Sequence, residues 1–354
     1  YLNSALVTFG EAYGEKSLEA RAVQYSIAQH DYYTGDFATA LKTCETILDA
    51  TDVEKDKTVV TAVKHLKARI LDERGDWEEA LDVYEEVLKL YSDIENNGEL
   101  GKELTEYVYS AEANEGERDY YINASKWVIL TYNAMGRVYL HMGKNNEARR
   151  VFDQSLTLCR DNVYIGDNNL ITAETYRNLA IVYGKRLEIR RGLDYIDRAM
   201  RIPINLFGFE DEYSGLVEIY EVYGDLTHLA GDDEQAVFYY EQACNLAIDS
   251  YTENHPQTAA AYNAFGMYYY DISDYETAGS FFEKAIEIRK NILGVDYTST
   301  AIYYTNLAKT KAACGQIMEA EEALETAREI CNGLGMESEA VDRMVQLTAG
   351  DSDI

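Results

Sequence analysis

The sequence predicts an all-α fold, a solenoid of about seven helix-turn-helix repeats with a capping helix at its C-terminal end. Three observations support this prediction. A set of small and large residues recurs at fixed offsets, only 2 of the 354 residues are proline, and no apolar run reaches the length of a membrane span. Because proline is excluded from helix interiors, a chain so poor in proline favours long helices.

The repeat is defined by offsets from a small residue in its first helix. From Gly136 the series continues with Tyr139 at +3, Gly143 at +7, Ala148 at +12 and Phe152 at +16. Comparable series start at Ala28, Ala68, Ala180, Gly224, Gly266 and Ala308. Small residues at the first position and at +12 allow two helices to approach closely, and the residue at +7 marks the turn between them.

Seven repeats follow from these series, at about residues 20–50, 60–92, 128–160, 172–202, 216–250, 258–292 and 300–331. We interpret residues 1–354 as one solenoid domain, because neighbouring helix pairs must stack to bury their apolar faces. An acidic insertion is predicted at residues 95–126 and a capping helix at residues 336–348. One tyrosine precedes the small residue by four positions in five consecutive repeats, and we expect these rings to pack in the core: Tyr132, Tyr176, Tyr220, Tyr262 and Tyr304.

This pattern resembles the tetratricopeptide repeat, whose unit is about 34 residues long. Here the small residues are 40, 68, 44, 44, 42 and 42 residues apart, which is similar to the lengthened repeats of kinesin light chains and of many bacterial repeat proteins. The resemblance covers residues 20–331. It implies a right-handed superhelix in which the first helix of each pair lines a concave groove that holds a protein or peptide ligand.

The resemblance also implies which residues face this groove, namely those three and two before each small residue and one after it. With Tyr270 added as an aromatic anchor, the predicted binding residues are His65, Arg69, Asn133, Arg137, Arg177, Asn178, Asn263, Tyr270, Asn306 and Lys309. Asparagine both donates and accepts hydrogen bonds, so one side chain can bind the N–H and the C=O of an extended peptide. The alternatives are hydrogen bonding between helices for the asparagines and core packing for Tyr270.

The charged residues at these positions are mostly basic, in a chain that is acidic overall. They comprise four bases and two acids: Arg69, Arg137, Arg177, Lys309, Glu221 and Asp225. Positive charge in the groove favours a carboxylate, a phosphate or an acidic peptide as ligand. The alternative is that these bases form ion pairs with acids on neighbouring helices.

Composition and motifs argue against several other classes of function. The chain has 63 acidic and 32 basic side chains and a net charge of −31, whereas nucleic acids and anionic membranes bind basic surfaces. It carries no zinc-protease, P-loop or nucleophile-elbow motif. We therefore expect no catalytic residue, no metal site and no cofactor. The five cysteines are widely spaced, which fits reduced thiols in a cytoplasmic protein.

The sequence thus predicts a protein-binding or peptide-binding scaffold. Two alternatives remain open. One is a peptide-sensing regulator of the quorum-sensing type, whose DNA-binding head would lie outside this sequence. The other is the recognition portion of a larger enzyme, fused to a protease or an ATPase domain. Binding to chaperone tails is not predicted, because the lysine of the known carboxylate-binding set is missing.

Overall fold

The computed structural model of the chain describes residues 8, 12, 14, 17–52, 56–91, 115–162, 165–207, 214–291 and 298–336. Over these residues it contains fourteen α-helices and no strand, which confirms the predicted all-α repeat fold. Residues 95–114 of the predicted insertion and residues 337–348 of the predicted capping helix lie outside the described residues.

The helices of the described residues are numbered along the chain. In chain order they are α1 (Leu18–Tyr33), α2 (Phe37–Asp49), α3 (Lys57–Glu73), α4 (Trp77–Leu90), α5 (Glu115–His141), α6 (Asn145–Asp161), α7 (Leu170–Lys185), α8 (Ile189–Phe207), α9 (Leu216–Leu229), α10 (Asp233–Ser250), α11 (Pro256–Asp271), α12 (Tyr275–Asn291), α13 (Thr298–Ala313) and α14 (Ile317–Gly333). They form seven pairs of one first helix and one second helix.

A left-handed backbone conformation ends the first helix of every pair, at the residue that the sequence places at +7. Five of these residues are glycines with φ between +70° and +81°, for example Gly143 at +70°. In two repeats the glycine is replaced, and Leu187 (φ 57°) and Ser273 (φ 64°) adopt the same conformation. The N–H of Lys144 donates to the C=O of Tyr139 over 2.8 Å, which closes the turn and satisfies a terminal carbonyl of α5.

The two helices of a pair meet where the small residue lies. A Cβ atom added to Gly136 would lie 2.2 Å from the ring of Phe152 on α6, and one added to Gly266 would lie 2.7 Å from the ring of Phe282 on α12. Phe152 and Phe282 are fully buried. The absence of a side chain at the first position therefore makes room for the large residue at +16, as the offsets predict.

The helices divide into two compact units. Unit 1 contains the described residues up to Thr131 and those from Cys331 onward, and unit 2 spans Tyr132 to Ile330. Within unit 2 the first helices α7, α9, α11 and α13 pack against one another in sequence, and each also packs against second helices. The interpretation of residues 1–354 as one domain stays a prediction.

Large apolar side chains fill the interior of unit 2. Tyr132, Tyr176, Tyr220 and Tyr304 are all buried as expected, whereas Tyr262 is partly exposed and Lys284 lies over its ring, 5.7 Å from the centroid. All five cysteines are free, and only Cys314 is exposed. None of the described helices has the length and apolar character needed to span a bilayer.

Candidate functional site

A groove runs along the first-helix side of unit 2. It consists of two adjoining clefts, of about 550 Å³ and about 470 Å³, which share Arg137, Arg177 and Glu218. We call it the first-helix groove and define it by its polar residues from α5, α7, α9 and α11: Arg137, His141, Glu174, Arg177, Asn178, Lys185, Glu218, Glu221 and Gln257. All of them belong to unit 2.

Helical periodicity brings these residues to one side of their helices. On α7 the lining residues Glu174, Arg177, Ile181 and Lys185 follow one another at intervals of three or four positions, and Asn178 is four positions after Glu174. Residues with this spacing share one face of an α-helix. The first helices of successive repeats lie side by side, so their equivalent faces together form the wall of the groove.

Ion pairs connect consecutive first helices along this wall. Arg137 Nη1 on α5 lies 2.6 Å from Glu174 Oε1 on α7, and Arg177 on α7 pairs with Glu218 on α9. Gln257 Nε2 on α11 donates a further hydrogen bond to Glu218 Oε1 over 3.4 Å. The two arginines that the sequence predicts as an anion site are therefore paired with acids of neighbouring helices, which was the alternative interpretation.

Asn178 is the predicted asparagine that the structure places in the groove. Its side chain lines the smaller cleft, the residue is only 1% exposed, and its Nδ2 atom has no hydrogen-bond partner among the described residues. A buried amide N–H without an acceptor costs free energy, of order 1–3 kcal/mol. The atom itself is inaccessible to solvent, so it can meet a ligand acceptor only when the side chain turns toward the cleft, and Nδ2 then gives up no existing bond.

Glu221 on α9 lines the same cleft. Its Oε1 atom is buried and accepts no hydrogen bond from the part of the chain that the structure describes. Burial, and next the nearby charge of Asp225, raise the pKa of Glu221 to about 8, against the opposing effect of Arg177. The carboxyl group consequently holds its proton at neutral pH in a large fraction of molecules.

The other predicted asparagines bond between helices. Asn133 is fully buried, and its Nδ2 donates to Thr175 Oγ1 over 3.0 Å. Asn306 is 4% exposed and donates from Nδ2 to Asn263 Oδ1 over 2.9 Å. These three side chains thus have the hydrogen bonds that the alternative interpretation gave them.

His65 and Arg69 lie on α3 in unit 1. His65 is buried, its Nε2 is 2.7 Å from Thr131 Oγ1, and its ring contacts Trp127 with the centroids 5.0 Å apart. Arg69 lies over the ring of Tyr32, with 4.6 Å between its guanidinium carbon and the centroid, and donates from Nη2 to the Tyr32 hydroxyl over 3.2 Å. Both side chains are engaged in packing inside unit 1.

Two predicted residues remain. Tyr270 on α11 is partly buried, and its ring centroid is 5.4 Å from that of Tyr275 at the start of α12, so the ring bridges the turn of its own repeat. Lys309 on α13 is partly buried. Their contribution to ligand binding stays a prediction, as it does for the whole predicted set.

Sequence reasoning placed Glu221 at a groove-facing position but did not select it as a binding residue. It lies three positions before Gly224, where the equivalent residues of other repeats are Asn133, Arg177 and Asn263. No other repeat carries an acid at this position, which was a usable signal. The two arginines pair with Glu174 and Glu218 and not with Glu221. That choice depends on side-chain geometry, which the sequence does not show.

Comparison with known proteins supports the repeat assignment. A family model described as tetratricopeptide repeat matches residues 3–93, 127–205, 218–291 and 257–333, which together exceed half of the chain. No curated protein sequence matches this chain significantly.

Several solved structures are similar in fold. The Rap conjugation gene regulator of plasmid pLS20, solved in complex with a Phr peptide, has a TM-score of 0.57 at 13% identity, covering 91% of this chain and 75% of that chain. The apo form of RapI has a TM-score of 0.57 at 11% identity, with 90% and 99% covered. BtubC from P. vanneervenii has a TM-score of 0.47 at 19% identity, with 68% and 94% covered. At these identities the similarity concerns the fold.

Proposed function

We propose a function from one premise: this chain belongs to the tetratricopeptide repeat family. Proteins of this fold present a face of adjacent first helices to a partner, and repeat solenoids in general use such extended surfaces for binding. The proposed function is that the first-helix groove of unit 2 binds an extended peptide segment, either free or as part of a partner protein. The proposal assigns no catalytic step to the chain.

The observation that carries the proposal is the unpartnered amide of Asn178. Its Nδ2 is buried at the wall of the groove without a hydrogen-bond partner among the described residues. When the Asn178 side chain turns toward the cleft, the carbonyl oxygen of a peptide bound along α7 and α9 supplies the missing acceptor. Because the unbound protein already bears the cost of this unsatisfied donor, the new hydrogen bond adds directly to affinity.

Apolar side chains beside Asn178 give the groove the second property that a peptide site needs. Leu140, Ile181 and Val222 line the same cleft as Asn178. Such surface accepts the side chains of a ligand while polar groups fix its backbone. The peptide complex of the similar Rap regulator is in keeping with this use of the fold.

The proposal does not include a preference for acidic ligands. That preference was expected from Arg137 and Arg177, but each of them pairs with a glutamate that also lines the groove. Their charge is therefore largely cancelled before a ligand arrives, and an anionic peptide would have to compete with Glu174 and Glu218.

A phage-displayed library of random short peptides, selected on the full chain, tests the proposal. Synthetic copies of selected peptides are titrated by fluorescence anisotropy against the wild type, Asn178→Leu and the control Asn245→Leu, in which an exposed asparagine of α10 is replaced. Loss of one buried hydrogen bond predicts about tenfold weaker binding to Asn178→Leu and no change for the control. Failure to select a peptide, or equal affinity for all three proteins, contradicts the proposal.

A further inference from the structure

Glu221 is the acid of the first-helix groove that has no cation of its own. Glu174 pairs with Arg137 and Glu218 pairs with Arg177, whereas the buried Oε1 atom of Glu221 accepts no hydrogen bond from any described residue. The base whose charge acts on Glu221 is Arg177, which already pairs with Glu218. A buried carboxyl oxygen without a donor is as costly as the unpartnered donor of Asn178, and both line one cleft.

We propose that Glu221 is the subsite for a lysine or arginine side chain of the bound peptide. This inference rests on the peptide-binding function proposed above and specifies its ligand. It reverses the preference expected from the sequence, because the charged residue of the groove with a buried atom that lacks a partner among the described residues is an acid and not a base.

The chemistry of the cleft favours a cation over a neutral donor. A neutral hydroxyl or amide of a ligand gives Glu221 one hydrogen bond, whereas an ammonium or guanidinium group gives a charge-assisted bond, which is shorter and roughly twice as strong. The bond is partly buried, so solvent and salt weaken it less than they weaken an exposed ion pair. The chain as a whole, with a net charge of −31, attracts cationic peptides at long range.

The surroundings of Glu221 hold further charged and titratable groups. Some of these groups shift the pKa of Glu221, and for others the charge of Glu221 shifts their own pKa. They lie on α7, α9, α10 and α13: Arg177, Asp225, Tyr240, Cys244 and Tyr303. Of these, Asp225 accepts a hydrogen bond from the Tyr240 hydroxyl over 2.6 Å. The positive charge of Lys185, which also lines the cleft, lowers the pKa of Asp225. Arg177 is thus the one base among the groups that act on Glu221.

Binding of a cation must displace the proton that Glu221 holds in the free protein. The pKa of Glu221 is raised to about 8 by burial and by Asp225, and an adjacent ligand cation lowers it again. Below this pH, each molecule of cationic peptide bound therefore releases up to one proton. The affinity should rise with pH by up to about tenfold per pH unit and level off above about pH 8.

The experiment compares peptides selected by the wild type with those selected by Glu221→Gln, which keeps the shape of the side chain and removes its charge. We expect lysine and arginine to be enriched at one peptide position only with the wild type. A selected peptide with both ends blocked is then titrated against both proteins, in parallel with its analogue in which the cationic residue is norleucine. Glu221→Gln should bind the cationic peptide about 30-fold more weakly or worse, and the norleucine peptide no less tightly than the wild type does.

The control variant is Glu241→Gln, which makes the same charge change at an exposed residue of α10. It should bind the cationic peptide as the wild type does. Isothermal titration in two buffers of different ionisation enthalpy measures the released proton, which should be absent in Glu221→Gln. Equal affinity of wild type and Glu221→Gln for the cationic peptide, or enrichment of acidic peptides, overturns the inference.

The two proposals fail differently. If peptides bind through Asn178 but their affinity is independent of Glu221, the peptide-binding function stands and the cation subsite is refuted. If no peptide is selected, or if none depends on Asn178, the peptide-binding function falls and the cation subsite falls with it.

Discussion

Asn133 Nδ2 donates a hydrogen bond to Thr175 Oγ1 over 3.0 Å, which joins α5 to α7. The Oδ1 atom of the same side chain accepts from Ser155 Oγ on α6 over 2.9 Å. One buried amide thus connects three helices from two consecutive repeats of unit 2. Arg177 occupies the equivalent position of the next repeat and lines the groove, so the repeat position alone does not decide whether a side chain contacts a ligand.

Replacing Asn133 by alanine should destabilise unit 2 without a direct effect on the groove. The change leaves Thr175 and Ser155 buried with fewer partners, and we expect the free energy of unfolding to fall by about 2–4 kcal/mol. Urea denaturation followed by circular dichroism measures the loss. Asn245→Ala, at an exposed position, should change stability by less than about 0.5 kcal/mol. Equal stability of the two variants would contradict a stabilising role for the hydrogen bonds of Asn133.

Two glycines inside helices should respond to alanine in opposite directions. In Gly136→Ala the new Cβ would meet the Phe152 ring at 2.2 Å, whereas in Gly279→Ala it would meet only a methyl group of Thr310 at 3.7 Å. Alanine favours the helix by about 1 kcal/mol over glycine, so Gly279→Ala should be stabilising. Overpacking in Gly136→Ala should outweigh this gain and give a net loss of about 1–3 kcal/mol. Thermal denaturation of both variants measures the two changes in stability. A stabilising Gly136→Ala would refute the close contact between Gly136 and Phe152.

The turn between α7 and α8 contains a strained leucine. Leu187 has φ 57° and is 67% exposed, so its side chain gains little from packing while its backbone adopts a conformation that costs an L-residue about 1–2 kcal/mol. Leu187→Gly removes this cost but makes the unfolded chain more flexible, and we expect a net gain of roughly 0.5–1 kcal/mol.

The matched reverse change is Gly143→Ala at the same position of the preceding repeat. No atom lies within 4 Å of the added Cβ, and φ is +70°, so the conformation alone should cost about 1 kcal/mol. Differential scanning calorimetry of the two variants measures both effects. If Leu187→Gly proves less stable than the wild type, the left-handed conformation of Leu187 does not carry the expected cost in stability.

The two ion pairs of the groove should contribute differently to the free energy of unfolding. The side chain of Arg177 is 16% exposed beside Glu218, whereas that of Arg137 is 39% exposed beside Glu174. Solvent screens the pair of the more buried arginine less, so Arg177→Ala should cost about 1–3 kcal/mol, while Arg137→Ala should cost less than about 1 kcal/mol. Urea denaturation at low and high salt tests this order, and a larger loss for Arg137→Ala would contradict it.

Glu221 should make unit 2 less stable as the pH rises. Its pKa is raised from 4.5 to about 8 in the folded protein, so between these values the folded state holds a proton that the unfolded chain releases. Stability therefore falls as the pH increases from about 5 to about 8, and the wild type should lose roughly 1–3 kcal/mol more over this range than Glu221→Gln. Urea denaturation at several pH values measures the difference. Parallel profiles for the two proteins would show that this carboxyl titrates normally.

The helical pairing and the turns were predictable because they depend on local patterns. The residue at +7 adopts a left-handed conformation even where it is Leu187 or Ser273, since the helices on either side of the turn impose it. The close contact of Gly136 with Phe152 follows from their offset of sixteen residues. Steric size and helical periodicity suffice for such features, and both can be read from residue types.

The candidate site was predictable only in part. The resemblance to the tetratricopeptide repeat placed Arg137, Arg177 and Asn178 at groove-facing positions, and they line the groove. The same positions also included Asn133, which is buried between helices. A position counted along one helix does not specify how closely the next helix packs, and that distance determines whether a side chain reaches the groove or a neighbouring helix.

The sequence by itself determined the all-α repeat fold and its turns, because small residues, large residues and glycines recur at the spacing of packed helices. The helices that face the groove were implied by the resemblance to the tetratricopeptide repeat. Only the tertiary structure decided which polar groups keep their hydrogen-bonding capacity for a ligand. Arg137 and Arg177 meet acids of the next helix, while Asn178 Nδ2 and Glu221 Oε1 are buried without partners among the described residues. Such pairing depends on distances between side chains of different repeats, which residue spacing along one helix does not specify.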